Sequence, residues 1–324
     1  MALQLRLGTR GSPLALWQAQ RVQQLLERAG TKTELVPIRT TGDVIADVPL
    51  SRIGTVAIFT ARLDEALLAG RIDLAVHSLK DLPTSSPAGI ELAAVSERED
   101  PRDALIGRGP LRWQELPPGA VIATSSLRRR AQLLRARPDL ELVEVRGNVE
   151  TRLAKLDATP EWTATILAVA GLVRLGLAAR IGERLPYELM LPAPGQGALA
   201  ITVRAGDQSS AATARAAVQD EATALCVAAE RALLRRLEGG CQVPVGAHAN
   251  LRRQGGSSTL QLIGRVVSLD GRESVEQSLT APAADPAAAA ALGEALAEIL
   301  LDSGASRILE QVRRTASLLG TGDP

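Results

Sequence analysis

Aromatic side chains are nearly missing from this chain. One Phe, one Tyr and three Trp make up 2% of its 324 residues, too few to build a base-stacking platform for single-stranded nucleic acid. Its two cysteines, Cys226 and Cys241, give no disulfide framework, and no Cys-x-x-Cys spacing suggests zinc or another metal. Neither histidine, His77 or His248, has a Ser or Cys partner at motif spacing, and Gly-x-Ser-x-Gly is absent, which argues against a hydrolase triad. There is no P-loop and no Gly-x-Gly-x-x-Gly, and Gly195-Gln196-Gly197 alone is no nucleotide signature. No apolar run approaches the length of a membrane span. Arg6 and Arg10 interrupt the first apolar run, so it does not read as a signal peptide. An excess of charge is missing too: 37 Lys and Arg stand against 36 Asp and Glu, a net +1, so no global field attracts nucleic acid. The expectation is a cytoplasmic protein with neither a nucleic-acid nor a membrane partner.

What is present is 46% hydrophobic content, built from Leu, Val, Ile and Ala and sufficient for two or three domains with their own cores. Lysine occurs only at Lys32, Lys80 and Lys155, so Lys80 stands out in an arginine-rich chain. Cations recur where strand-like runs end and helices begin. Arg10 follows Leu3–Leu7, and Lys80 follows Ile72–Val76. Arg128 and Arg129 follow Val121–Ala123, and Arg146 and Arg152 follow Leu140–Val145. In open α/β sheets ligands bind outside the carboxyl ends of strands. Helix N-termini there favour anions, and the guanidinium fork matches a carboxylate or phosphate with two bonds. The pattern predicts a small ligand carrying several negative groups.

Ser12-Pro13 forms a cap and first-turn pair that opens a helix to Gly30. Glu34–Ile38 reads as a strand, Thr60–Leu68 as a helix and Ile72–Val76 as a buried strand. This βαβ alternation predicts a parallel sheet. Arg98–Arg102 reads as a charged crossover. A second unit follows: strand Val121–Ala123, helix Leu127–Arg137, strand Leu140–Val145, helix Val149–Leu156 and strand Thr165–Ala170. After the turn cluster Pro192–Gly197, the strand Leu199–Val203 is placed to return to the first domain. From about Val218 the pattern becomes an Ala/Leu/Arg helix to Leu237, strands Leu260–Val267 and Ser274–Leu279, and two helices ending near Leu319. The domains expected are 1–97 with 198–216, then 102–192, then 218–324.

For several residues the chemistry leaves two readings. Arg128, Arg129, Arg146 and Arg152 are either solvated surface charges or anion ligands, although a first-turn cation sits badly with the helix dipole unless an anion is near. Asp81 is either a cap or ion-pair partner, or a carboxylate that stabilises a positive intermediate or moves protons. Cys241, flanked by Gly239-Gly240 and Gln242, is either a chance loop thiol or a nucleophile or attachment point. Cys226, on an Ala/Leu helix face, reads as a small core residue. His77, ending an apolar strand, reads as a packed structural histidine.

Taken together, the segments Val76–Pro83, Thr124–Arg129, Arg146-Gly147-Asn148 through Thr151-Arg152, Ile166–Leu177, Leu191–Gly197 and Leu237–Gly246 resemble the hydroxymethylbilane synthase (porphobilinogen deaminase) family. The resemblance spans about residues 3 to 250. It implies two α/β domains similar to periplasmic binding proteins plus a smaller C-terminal α+β domain. It also implies a monomeric transferase that adds porphobilinogen units, with loss of ammonia, to a dipyrromethane cofactor held through Cys241. By the same resemblance Asp81 is the catalytic carboxylate. Lys80, Arg128 and Arg129 bind cofactor carboxylates, Arg10, Arg146 and Arg152 serve cofactor and substrate, and Ser12, Ser126 and Gln196 are supporting donors. On this reading Arg128 and Arg129 serve the ligand only, and the fold should survive their loss. The runner-up is a non-catalytic two-lobed binding protein for a polycarboxylate, which leaves Cys241 and Asp81 without a task. The chain departs from the family at Arg52–Phe59, where a lysine-bearing lid loop is usual and here has no lysine. It departs again at Glu150, which stands where a small residue is usual and either points outward or weakens the local anion site.

Overall fold

Four positions of the first strand, Leu5, Leu7, Gly8 and Thr9, turn inward, and the elements that follow assemble around such buried stripes. The computed structural model describes residues 4–38, 57–237, 243–254 and 257–318. In chain order these hold β1 (Leu5–Arg10), α1 (Pro13–Arg28), β2 (Thr33–Ile38), α2 (Ala57–Leu68), β3 (Leu74–Ser78) and β4 (Ile90–Val95). Then come β5 (Asp103–Ile106), β6 (Val121–Ala123), α3 (Leu127–Ala136), β7 (Glu141–Val143), α4 (Val149–Ala158), β8 (Ala164–Ala168), α5 (Val169–Arg174) and β9 (Glu183–Arg184). The rest are β10 (Leu199–Arg204), α6 (Gln208–Val218), α7 (Glu221–Arg236), β11 (Val245–Gln254), β12 (Ser257–Val267), β13 (Ser274–Pro282), α8 (Pro286–Leu300) and α9 (Ser306–Leu318). Of the expected lid loop at 52–58, residues 52–56 lie outside the described residues, and Ala57 and Ile58 open α2.

The chain divides into two compact units. One comprises 1–46, 55–99 and 197–224; the other comprises 47–54, 100–196 and 225–324. The first is built on a five-stranded sheet of order β2-β1-β3-β10-β4. Leu7, Leu26, Leu74, Ile201 and Val203 fill one core there, between the sheet and helices α1 and α6. The second unit contains a five-stranded sheet of order β7-β6-β8-β5-β9 and an antiparallel three-stranded sheet β11-β12-β13. Helices α7, α8 and α9 cover that smaller sheet through Leu233, Leu262, Leu296 and Leu300. The fold is therefore two α/β sheets plus a smaller α+β part, the class expected.

The two five-stranded sheets share one plan. In each, three parallel strands are followed by one antiparallel strand and an edge strand: β10 runs against β3 and β4, and β5 against β8 and β9. This corrects the expectation of wholly parallel sheets. The βαβ units are parallel as expected, but each sheet also takes a strand from the segment by which the chain leaves or re-enters the unit, and that strand runs the opposite way. Leu199–Val203 does return to the first sheet, as expected. The helix expected near 218–237 is α7 (Glu221–Arg236), and a further helix that was not expected, α6 (Gln208–Val218), precedes it. They are separated at Gln219-Asp220, where Asp220 Oδ1 accepts the Thr223 N–H (2.7 Å) and caps α7.

The return is sterically exact in its demand for glycine. Gly197 has φ +93, and a Cβ there would come within 2.3 Å of the Glu99 carbonyl oxygen. Cys226 is buried in the core of the α+β part, as its helix face implied.

Candidate functional site

In the first unit, β1 and β3 lie side by side and deliver their chemistry at their carboxyl ends. Beyond β1 the backbone turns through Gly11, and Ser12 caps α1 by accepting the Ala15 N–H (3.3 Å). Beyond β3, residues Leu79–Asp81 form a single 3-10 turn. Leu79 is fully buried and its N–H donates to the Ala198 carbonyl (3.0 Å), so the turn is pinned by its first residue and presents Lys80 and Asp81, both half-buried, beside it.

Arg10, Ser12, Gln18, Thr60, His77 and Asp81 line a polar pocket of about 70 Å3. Gln18 donates to Ser78 Oγ (2.8 Å), and His77 Nε2 pairs with Thr202 Oγ1 (3.0 Å). Burial, and then the nearby Arg10 charge, push His77 down to about 4. It is neutral at physiological pH and structural, as read from the sequence. The donors here are a guanidinium and hydroxyls, a set suited to a carboxylate arm of a ligand.

The second unit places its residues differently. Ser126 caps α3 through the Arg129 N–H (3.5 Å). Ser125 exchanges two bonds with Val145 (2.9 and 3.1 Å), which ties the ends of β6 and β7 together. Arg128 and Arg129 are then buried rather than aimed outward, each only 6% exposed. Arg128 Nη1 donates to Asp103 Oδ2 (2.7 Å) and to the Leu191 carbonyl (2.6 Å). Arg129 donates to Asp103 Oδ1 through Nη2 (2.7 Å) and Nε (3.2 Å), and to the Ile166 carbonyl through Nη1 (3.0 Å). Gln196, also buried, donates to the same Oδ1 (3.0 Å) and to the Pro101 carbonyl (2.7 Å). Burial alone would raise the Asp103 pKa, but the charges and hydrogen bonds of the two arginines outweigh it and hold the carboxyl well below the usual range.

Two expectations are corrected by this geometry. The anion that a first-turn cation requires is inside the chain: Asp103, at the head of a buried strand that follows the crossover Arg98–Arg102 and was not read from the sequence. Arg128, Arg129 and Gln196 are thus bonded into the fold, so the expectation that the two arginines serve the ligand only is corrected. Two guanidiniums against one carboxylate still leave one net positive charge at this strand end. A sequence signal for Asp103 did exist, since an acidic residue opens the apolar run Asp103-Ala104-Leu105-Ile106.

Arg146 and Arg152 flank the neighbouring turn. Asn148 caps α4 by accepting from Thr151 N and Oγ1, both at 2.8 Å. Gly147 has φ +112, and a Cβ there would lie 2.6 Å from Thr151, so this tight approach to the helix needs glycine. Arg152 Nε donates to the Gly147 carbonyl (2.8 Å), and Arg146 lies 3.9 Å from Glu144. Both are half-buried, and Glu150 is exposed, so of its two readings the outward one holds. Cys241 lies outside the described residues. Among the described residues no helix is long and apolar enough to cross a membrane.

The arrangement defines an α/β protein with cations at strand ends of both sheets and, beside those of the first, the carboxylate Asp81. Comparison with known proteins gives that class a family. Residues 5–212 match the model described as porphobilinogen deaminase, dipyromethane cofactor binding domain, and residues 224–302 match the porphobilinogen deaminase C-terminal domain. The porphobilinogen deaminase of Geobacter metallireducens is 51% identical over 311 residues, 95% of either chain. That of Chlorobaculum tepidum is 46% identical over 317 residues, 97% of this chain and 100% of the relative. The chain belongs to the porphobilinogen deaminase family.

Two outcomes follow from the buried groups. Arg129→Leu leaves Asp103 with one guanidinium in place of two, and should destabilise the folded protein by about 3–5 kcal/mol, measured as a fall in the urea midpoint at unchanged m. His77 has a folded pKa below its unfolded value near 6.5, so the unfolded state binds the extra proton. The stability it contributes is complete above about pH 6.5 and is lost as pH falls toward 4. Between pH 7 and pH 5 the wild type should lose about 2 kcal/mol that His77→Gln does not lose, read from urea unfolding at the two pH values.

Proposed function

We propose that this chain carries out the reaction its family is named for. It condenses four porphobilinogen units stepwise onto a covalently bound dipyrromethane primer, with loss of ammonia, and then releases hydroxymethylbilane by hydrolysis. The observation that carries the reading is the meeting of Asp81 with Arg10 and Ser12 around one small polar pocket at the ends of β1 and β3. A polycarboxylate-binding protein would need the cations but gives Asp81 no work. Family membership across the chain favours the enzyme over that runner-up.

The residues present fit the cofactor by the chemistry of their donors. Dipyrromethane carries acetate and propionate groups, and the strand ends offer Arg10 and Lys80 in one unit and Arg146 and Arg152 in the other. Ser126 and the single net charge of the Arg128–Arg129–Asp103 cluster add to the second set. When bound, the cofactor supplies the end to which porphobilinogen units are added. Arg10 and Ser12 orient an acid arm of the substrate, and Arg146 and Arg152 are substrate-binding residues of the second unit in this proposal. Asp81 stabilises positive charge on the substrate pyrrole nitrogen as ammonia departs, because a fixed carboxylate in a partly dry pocket needs no reorganisation to do so. Gln196 supports indirectly, through Asp103. Cys241 is the attachment point in this proposal, and the segment that bears it joins α7 to β11. A monomeric, cytoplasmic enzyme of three domains (1–97 with 198–216, 102–192, and 218–324) completes the reading.

An intact mass spectrum of the purified protein tests it. The chain should carry a covalent adduct of two pyrrole units, and Cys241→Ser should carry none, since an alcohol is a far poorer nucleophile than a thiolate near cations. An adduct that persists in Cys241→Ser would move the attachment elsewhere. Asp81→Asn keeps shape and removes charge. With the adduct in place, its turnover should fall by roughly 10²–10³, measured as porphyrin formed on oxidation of the product, and near-normal turnover would make Asp81 a structural residue.

A further inference from the structure

Arg265 is a buried cation that the proposed chemistry does not use. It sits on β12 of the three-stranded sheet, only 2% exposed. Its Nε pairs with Glu276 on β13, and its Nη2 donates to the Glu188 carbonyl (3.0 Å) and the Tyr187 carbonyl (3.3 Å). A charge taken this far out of water is costly, and an apolar residue of similar volume is often tolerated as well or better. What distinguishes this arginine is where its remaining donor goes. Nη1 donates to Oε1 of Gln132 (2.8 Å), on α3 of the neighbouring sheet.

Gln132 is fully buried, and besides its bonds to the Leu191 peptide its Nε2 donates to the Arg128 carbonyl (3.3 Å) and to Met190 Sδ (3.4 Å). Its Oε1 also accepts the Leu191 N–H (2.9 Å), and its Nε2 donates to the Leu191 carbonyl (3.1 Å). That carbonyl is the oxygen on which Arg128 Nη1 closes, at 2.6 Å. The guanidinium of Arg128 thus has two anchors, the Asp103 carboxylate and the Leu191 carbonyl, and the second is held by Gln132 and, behind it, Arg265. All of these residues belong to the same compact unit.

We propose that Arg265 is a positioning residue for Arg128, acting through Gln132 and the Leu191 peptide, so that the C-terminal sheet sets the aim of an arginine at the cofactor site. This rests on the reading in which that cluster receives a cofactor acid arm. Coupling of this kind runs through discrete bonds, so its removal shows as non-additivity between neighbours.

The test follows covalent adduct uptake by intact mass. Apoprotein of the wild type, Arg265→Met, Gln132→Leu and the double variant is exposed to preformed hydroxymethylbilane at a temperature well below each unfolding midpoint. Each single variant should take up the adduct about tenfold more slowly, and the double variant no more slowly than the slower single. Turnover per loaded molecule should be unchanged, which a general loosening of the fold would not allow. Wild-type uptake by folded Arg265→Met, or single effects that multiply in the double variant, would overturn the proposal. If the Met variant does not fold, Arg265→Lys carries the test. It keeps the charge but replaces a five-donor fork with one ammonium, so uptake should again be slowed, and uptake at the wild-type rate overturns the proposal. A wild type that acquires no adduct at all would instead sink the functional reading on which the proposal stands.

Discussion

Asp103 receives two guanidiniums and an amide within 3.2 Å while having no exposure to solvent, and much of the second unit is arranged to make that possible. A carboxylate in such a place must be paired, or it would take up a proton. Pairing fixes the first turn of α3, because both arginines belong to it. It also fixes the turn at 192–196 through Gln196, and the start of β5, which Asp103 opens. Three segments distant in sequence are thereby joined at one strand end. The energetic logic is asymmetric: the assembled cluster adds modest stability over an apolar substitute, whereas removing Asp103 strands two guanidiniums, and removing an arginine leaves buried oxygens short of donors.

The two units meet the demand for positive charge in different ways. In the first, Arg10 and Lys80 remain half-buried beside a pocket, so their charge is available at short range and partly screened by water. In the second, the arginines next to α3 are withdrawn and neutralised in part, while Arg146 and Arg152 stay half-buried on the adjoining turn. The withdrawn pair acts as scaffold and as a fixed residual field in a low-dielectric setting.

Much of this was legible in the sequence, for identifiable reasons. Strands such as Val121–Ala123 coincide with their predicted range because buried runs are short and bounded by turn chemistry, and Ser12-Pro13 and Asn148 announce helix starts through capping. The placement of cations at strand ends follows from those boundaries. Strand direction was not legible, since β5 and β10 are apolar runs like their parallel neighbours and only the partner across the sheet decides which way each points. The inward turn of Arg128 and Arg129 was hidden for a related reason. A pattern can say that a first-turn arginine needs an anion, but whether the anion is a ligand or Asp103, 25 residues earlier, depends on packing. Gln132 and Arg265 gave no signal at all, because their roles exist only where two sheets meet within the unit.

The shared sheet plan has a consequence for how the chain is made. In the first sheet β10 lies between β3 and β4, yet Leu199–Arg204 follows nearly the whole of the second α/β sheet in sequence. On a ribosome the first sheet is therefore synthesised with a gap. β4 has no strand to bond to until about a hundred further residues have emerged, and Gly197 then admits the late strand past Glu99. The second sheet has the reverse history: β5 is made first and waits for β8 and β9 to flank it. Synthesis thus completes the second five-stranded sheet before the first, and the last bonds of the N-terminal unit close only after its neighbour's sheet exists.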